Sequence, residues 1–319
     1  MLVVWLPIVL QALLPLALLG ALSLARPATR LSWLLSVALV ALYLLFVALA
    51  GIWLVLPWYL AAIHALLLVP AAILSHRRIR GEAAWPTRRC ARVGVGVRLV
   101  ALVLLAVVLG HVLAGRRPPV EPVSLAWPFE HGTYLVANGG ADELLNAHLK
   151  TLAGPRFRPF RGQSYGVDFV ALNDCWGLRA RGIAPRDPAA YVIFGAKVLA
   201  PCAGVVLGAV DGFRDLPPPD PDREHLAGNH VLLDCGPVWV LLGHLRRGSV
   251  AVRAGERVQI GQPMGRVGNT GNTSEPHLHI HAQRAGSADA PLSGEPVPIA
   301  FQGRYPVRNA RMHLEVTPQ

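Results

Sequence analysis

The chain divides into two stretches with opposite patterning. Leu2 to Ala25 carries no charge before Arg26 and is long enough to cross a hydrocarbon core of about 30 Å. Leu31 to Leu74 stays apolar for more than forty residues, too many for one span. The Leu56-Pro57-Trp58-Tyr59 break, with aromatics suited to an interface, predicts two helices there. A further apolar run lies between Arg98 and Arg116-Arg117. The expectation is an N-terminal all-α transmembrane region, residues 1–117, with four helices at about 2–25, 32–54, 58–74 and 99–114. A cleaved signal peptide at residues 1–25 is the weaker reading, because the positively charged start it needs is missing.

After Pro118-Pro119 the period changes. Residues 118–145 read as a linker and lead-in. Then short β-branched runs alternate with Gly and Pro turns: Tyr165–Leu172, Lys197–Ala200, Gly204–Val210, His230–Asp234, Val238–Gly243, Arg257–Ile260, Gly265–Val267 and His277–Gln283. Eight short strands at close spacing predict an all-β, mainly antiparallel domain, placed at 146–290 with a C-terminal tail at 291–319. The run Leu216 to Pro221 reads as a stiff surface loop.

Composition changes one part of this picture. The chain is 53% hydrophobic and 15% charged, against about a quarter charged in soluble domains, which excludes disorder and argues against one soluble domain. The net charge of +11 resembles a nucleic-acid binder until it is divided. Residues 1–117 hold eleven arginines and a single acid, Glu82, whereas residues 118–319 hold nineteen Lys and Arg against eighteen acids. The excess belongs to the apolar half, so no nucleic-acid partner is expected. Arg26 and Arg30 mark one loop; Arg77, Arg78, Arg80, Arg88, Arg89, Arg92 and Arg98 mark another; the hairpin near residue 56 is uncharged. The positive-inside rule puts both arginine loops in the cytoplasm, and with four spans everything after residue 117 lies outside. Arg116-Arg117 runs against this pattern. His64 and His111 have no carboxylate in any span to pair with and read as neutral, bundle-facing rings.

Cys175, Cys202 and Cys235 all fall in the outer half, where an oxidising compartment permits one disulfide, and Cys175–Cys202 is the pair expected. No Cys-x-x-Cys spacing offers a thiolate metal site.

The candidate chemistry is concentrated in the run Gly268 to His281. In a strand His277, His279 and His281 share one face while Leu278 and Ile280 point to the core. Three imidazoles on one face are costly as packing and useful as metal ligands. Asp168 lies in an apolar strand run, and His244 ends another before a polar turn. Together they form a plausible open zinc site with a base.

Residues 160–283 resemble the lysostaphin-type (LytM-like) zinc metallopeptidases. The matching motifs are Gly166-Val167-Asp168-Phe169, Ala200-Pro201-Cys202-Ala203-Gly204-Val205, Gly228-Asn229-His230-Val231, Gly243-His244-Leu245, Gly255-Glu256-Arg257-Val258, Gly261-Gln262, Gly268-Asn269-Thr270-Gly271 and Pro276-His277-Leu278-His279. The resemblance implies Zn²⁺ held by Asp168 and His279, with His244 and His277 orienting the attacking water and stabilising the transition state. It implies a peptidase cutting peptide cross-links of bacterial peptidoglycan. The location implied is the bacterial cytoplasmic (inner) membrane, multi-pass, with the C-terminal domain on its periplasmic or extracellular side. Peptidoglycan peptides and membrane lipids are then the partners, together with a cell-wall hydrolase or divisome partner. The family's first ligand, a His four residues before the Asp, is Ser164 here. That departure supports a rival reading, a weak or inactive domain of the same fold that binds or regulates a cell-wall hydrolase. For the enzyme, a third ligand is needed. His148 in Asn146-Ala147-His148, on a polar segment that can fold back over the Asp168 strand, is the candidate, with His281 as the alternative.

Overall fold

The computed structural model describes residues 2–79 and 81–313, so Arg80 of the second arginine loop lies outside the described residues. The chain divides into two units, residues 1–114 and 115–319. The first is helical: α1 (Leu2–Ile8), α2 (Leu14–Leu24), α3 (Arg30–Ala50), α4 (Leu60–Arg77) and α5 (Arg89–Ala114). A π-helical turn, Val9–Leu13, joins α1 to α2, and Tyr43 Oη donates to the Leu10 carbonyl in it (2.7 Å). Four stretches, Trp5–Leu24, Arg30–Ala50, Leu60–Arg77 and Arg89–Ala114, are long and apolar enough to cross a membrane. Leu66, Val69, Val103 and Leu104 are among the many exposed apolar side chains on them. A soluble protein seldom exposes apolar patches of that size.

The last helix starts at Arg89, ten residues before the expected 99. Apolarity marks where a helix becomes fit for hydrocarbon, not where it begins, and arginine is a good helix former. Arg98 therefore lies within α5, where its guanidinium reaches Ser36 Oγ (2.9 Å) and the Gly94 carbonyl (2.8 Å).

The second unit is β-rich: β1 (Val123–Leu125), β2 (Thr133–Asn138), β3 (Val167–Leu172), β4 (Lys197–Leu199), β5 (Gly204–Val210), β6 (Asn229–Asp234), β7 (Trp239–Leu245), β8 (Arg257–Val258), β9 (Pro263–Arg266), β10 (Leu278–Arg284), β11 (Glu295–Val297), β12 (Ile299–Phe301) and β13 (Arg311–Met312). The eight patterned runs coincide with β3 to β10. A nine-stranded sheet runs in the order β13-β2-β3-β10-β7-β6-β5-β8, with β11 also on β10, and all its pairs are antiparallel. β4 pairs with β9, and β1 pairs in parallel with β12.

Three expectations need correction. Residues 118–145 are more than a linker, because β1 and β2 lie there and Trp127 and Phe129 are buried in the core. Residues 291–313 of the expected 291–319 tail are more than a tail, because β11, β12 and β13 pair with strands of the body. Trp127 explains why both ends are held: its ring meets those of Phe129, Tyr134, Phe169 and Phe301 at centroid distances of 5.2 to 5.5 Å. Finally, Cys202 pairs with Cys235, at a Cα separation of 5.8 Å, and Cys175 is free and exposed. Adjacent antiparallel strands decide this. Val205 of β5 faces Asp234 of β6, which brings the cysteines just outside those strands together.

Alternation places the site. On β10, Leu278, Ile280 and Ala282 fill the core under the sheet, which leaves His279, His281 and Gln283 on the other face. On β3, Val167, Phe169 and Ala171 do the same, leaving Asp168 beside those rings.

Candidate metal centre

β3 and β10 are adjacent and in register, with Asp168 opposite His279. Asp168 Oδ1 lies 2.9 Å from His279 Nδ1. One glycine makes room for the ring: a Cβ at Gly166 would come within 2.6 Å of His279 Cε1. Gly243 of β7 is the strand partner of His279 on the other side. Burial alone would raise the Asp168 carboxyl, but the neighbouring His148 and His277 and the hydrogen bonds from His148 and His279 outweigh it. The group is held well below the usual carboxylate range. Burial pulls His279 down to about 4, against the opposing effect of its hydrogen bond to Asp168, so its ring is neutral at pH 7.

His148 reaches the same carboxylate from a different element. Asn146 caps the 3₁₀ turn Ala147–Leu152, accepting from His148 N (3.1 Å), and its amide donates to the carbonyls of Gly140 (3.2 Å) and Gly166 (3.0 Å). That anchors the turn against the chain entering β3. His148 Nε2 then lies 3.0 Å from Asp168 Oδ2. Ser164 is fully buried, and its hydroxyl is occupied by the Arg161 carbonyl (2.6 Å) and by Thr151 Oγ1 (2.7 Å).

His244 and His277 stand beside this group, with ring centroids 4.6 Å apart. His244 Nδ1 donates to the Thr270 carbonyl (2.7 Å), and His277 Nδ1 donates to the Glu275 carbonyl (2.8 Å). Carbonyls only accept, so in each neutral ring Nε2 keeps its lone pair. His277 Nε2 lies 3.5 Å from Asp168 Oδ1. Burial, then the neighbouring His277 and His279, hold His244 well below the ordinary imidazole value. Its backbone sits at φ 61°, a left-handed conformation rare outside glycine. Such strain collects at functional sites. Gly271, at φ +85° against Gly228, forms the turn that carries Thr270 to His244.

Five residues singled out from the sequence, His148, Asp168, His244, His277 and His279, thus meet in one place. Others had no local signal. Asn138 of β2 donates through Nδ2 to Asp168 Oδ2 (2.8 Å) and accepts at Oδ1 from Arg308 Nη2 (2.7 Å). Arg308 is buried and also donates to the Leu145 carbonyl (2.8 Å). Burial lowers its guanidinium to about 10 against the pull of Asp168, so it stays charged. Arg179 and Glu275 form a buried ion pair (2.8 Å) that holds the residue whose carbonyl pins His277. An Asn in a strand and two arginines in loops carry no mark of function in sequence.

The donor set suits a metal. Ligand atoms of His148, Asp168 and His279 all lie within 4.8 Å of one another. Two imidazole nitrogens and a carboxylate, with His244 and His277 beside them, match the three-ligand arrangement of catalytic zinc. Residues 189–291 match the model of Peptidase family M23. This chain carries an M23 peptidase domain. The matched span includes His244, His277 and His279, whereas His148 and Asp168 lie upstream of it.

Among solved structures, the chain is similar to the catalytic domain, in a point-mutant form, of the prophage-encoded M23 protein EnpA from Enterococcus faecalis. The identity is 20%, covering 41% of this chain and 72% of that one at a TM-score of 0.27. It is similar to the catalytic domain of the antimicrobial peptidase lysostaphin from Staphylococcus simulans at 24% identity, covering 40% and 71%, TM-score 0.25. A zinc containing peptidase from Vibrio cholerae matches at 19% identity, covering 55% of this chain and 39% of that one, TM-score 0.31. No curated protein matches the chain.

Proposed function

We propose that this protein is a membrane-anchored zinc metalloendopeptidase that hydrolyses peptide cross-links of bacterial peptidoglycan. One observation carries the reading: a His148–Asp168–His279 donor set lies beside two histidines whose Nδ1 atoms are pinned and whose Nε2 atoms keep their lone pairs. Support for the substrate comes from the M23 family match and from the sequence resemblance to lysostaphin-type enzymes.

His148, Asp168 and His279 would hold the zinc, with His148 standing where Ser164 leaves the usual first position without a ligand. Bound zinc supplies Lewis acidity that polarises the scissile carbonyl and acidifies the attacking water. The protein's own groups do the rest. His244 and His277 orient the water through Nε2, and either ring, once protonated, stabilises the negative charge that develops on the carbonyl oxygen. Asn138 fixes the carboxylate of Asp168, and Arg308 fixes Asn138.

The four apolar helices serve as the anchor. The arginine loops favour a cytoplasmic placement for themselves and an outer placement for the M23 domain. The Cys202–Cys235 disulfide fits an oxidising, exported setting. The test is hydrolysis of a synthetic cross-linked peptidoglycan peptide by the full chain in detergent micelles. New amine groups should appear, vanish on chelation and return with zinc. A chain that binds zinc and releases no amine from such peptides would contradict the reading.

A further inference from the structure

His281 is the one histidine of the β10 face that neither the donor set nor the catalytic pair uses. It is fully buried, and its Nδ1 lies 2.9 Å from His279 Nε2. That contact is on the edge of the His279 ring away from Asp168, which meets Nδ1 instead. His281 Nε2, also buried, has no hydrogen-bond partner of good geometry among the described residues, although the Gln283 side chain interacts with the ring. Its strand partner Leu241 belongs, with Leu232 and Leu292, to an apolar cluster on this face. Packing alone would be served there by another leucine, since a buried imidazole with an unpaired nitrogen carries a desolvation cost.

Its position relative to His279 gives the reason for a polar residue. A ring that offers the Nδ1 lone pair to a metal carries its hydrogen on Nε2. In a fully buried place that hydrogen needs an acceptor, and partners of this kind set the tautomer and aim of metal-binding histidines. Resting on the zinc reading above, we propose that His281 is the positioning residue of His279. Its Nδ1 accepts the His279 Nε2 hydrogen and holds the ring in its metal-binding tautomer. His281 is not itself a ligand: its nitrogen meets the far edge of the His279 ring, and the donor group that closes within 4.8 Å leaves it out.

The test compares zinc affinity of the full chain in detergent micelles, measured by competition with a chromophoric chelator, with the melting temperature of the metal-free chain as the control for folding. His281→Asn sets an amide oxygen where Nδ1 stands, whereas His281→Gln reaches toward the Nε2 position, and His281→Leu removes both. The Leu and Gln variants should bind zinc about 10- to 100-fold more weakly than wild type. The Asn variant should remain within about 3-fold of it. Equal affinities for the Asn and Gln variants, at similar metal-free melting temperatures, would overturn the assignment even if the Leu variant fails to fold. So would a folded Leu variant with wild-type affinity. A wild-type chain that takes up no zinc would instead overturn the metallopeptidase reading on which this inference rests.

Discussion

Asp168 and His279 face each other across adjacent antiparallel strands, 2.9 Å apart between Oδ1 and Nδ1, with His148 on the second carboxylate oxygen at 3.0 Å. The carboxylate is therefore the hinge of the donor set, and each histidine depends on it. Asp168→Ala, His279→Ala and His148→Ala should each reduce bound zinc from about one per chain to under about 0.1, read by metal analysis of the purified chain. Ser164→Ala should leave zinc content unchanged, because that hydroxyl is spent on Arg161 and Thr151. Full zinc occupancy in His148→Ala would remove His148 from the donor set.

His244 and His277 should separate from that group. His244→Ala and His277→Ala each leave zinc content near wild type and lower kcat by about 10²- to 10⁴-fold, the range for loss of one acid–base group. Metal content and steady-state rates on the same preparations check this. Loss of zinc in His277→Ala would place that ring among the ligands instead.

The buried rings also predict how acid affects the metal-free chain. Burial depresses His230, His244 and His281, and it lowers His279 to about 4. Each is neutral when folded and takes up a proton more readily when unfolded, so the unfolded state binds more protons below the ordinary imidazole value. The stability from keeping them neutral is complete above about pH 6.5 and is lost as pH falls toward 4. Asp168, whose folded value is depressed, adds a further loss below about pH 4. With chelator present, the melting temperature of the β-rich unit should fall by at least about 5 °C between pH 7.5 and pH 5. A flat profile over that interval would show that these rings are not buried as described.

The Cys202–Cys235 bridge closes a loop of sequence separation 33, which corresponds to about 3–4 kcal/mol of stabilisation. Cys202→Ser and Cys235→Ser should each lower the melting temperature, and Cys175→Ser should not. Peptide mapping of the unreduced chain should recover the 202–235 pair. Recovery of a 175–202 pair would contradict the Cys202–Cys235 bridge.

These cases show which parts of the site the sequence could carry. The histidine face of β10 was legible because two-residue alternation is local, and Leu278 and Ile280 fix its sense. Asp168 was legible as a lone carboxylate in an apolar run, and His148 through its place in Asn146-Ala147-His148, on a polar segment able to fold back over the Asp168 strand. The disulfide was not, because strand pairing decides it: Cys175 is nearer to Cys202 in sequence, but β5 and β6 carry Cys202 to Cys235. Asn138 and Arg308 were invisible for the same reason, since they meet across a separation of 170 residues. The outer strands β1, β2 and β11 to β13 escaped because aromatic and proline-rich segments break alternation, and their order comes from packing around Trp127.

The most direct test of the central claim is digestion of purified peptidoglycan by the full chain in detergent micelles, with products identified by mass. The account predicts fragments from cleavage within the peptide cross-links, each cut adding one water. Fragments should be absent with chelator, absent with His277→Ala, and restored by zinc in the chelated wild-type chain. Undigested peptidoglycan from a folded chain holding about one zinc would contradict it.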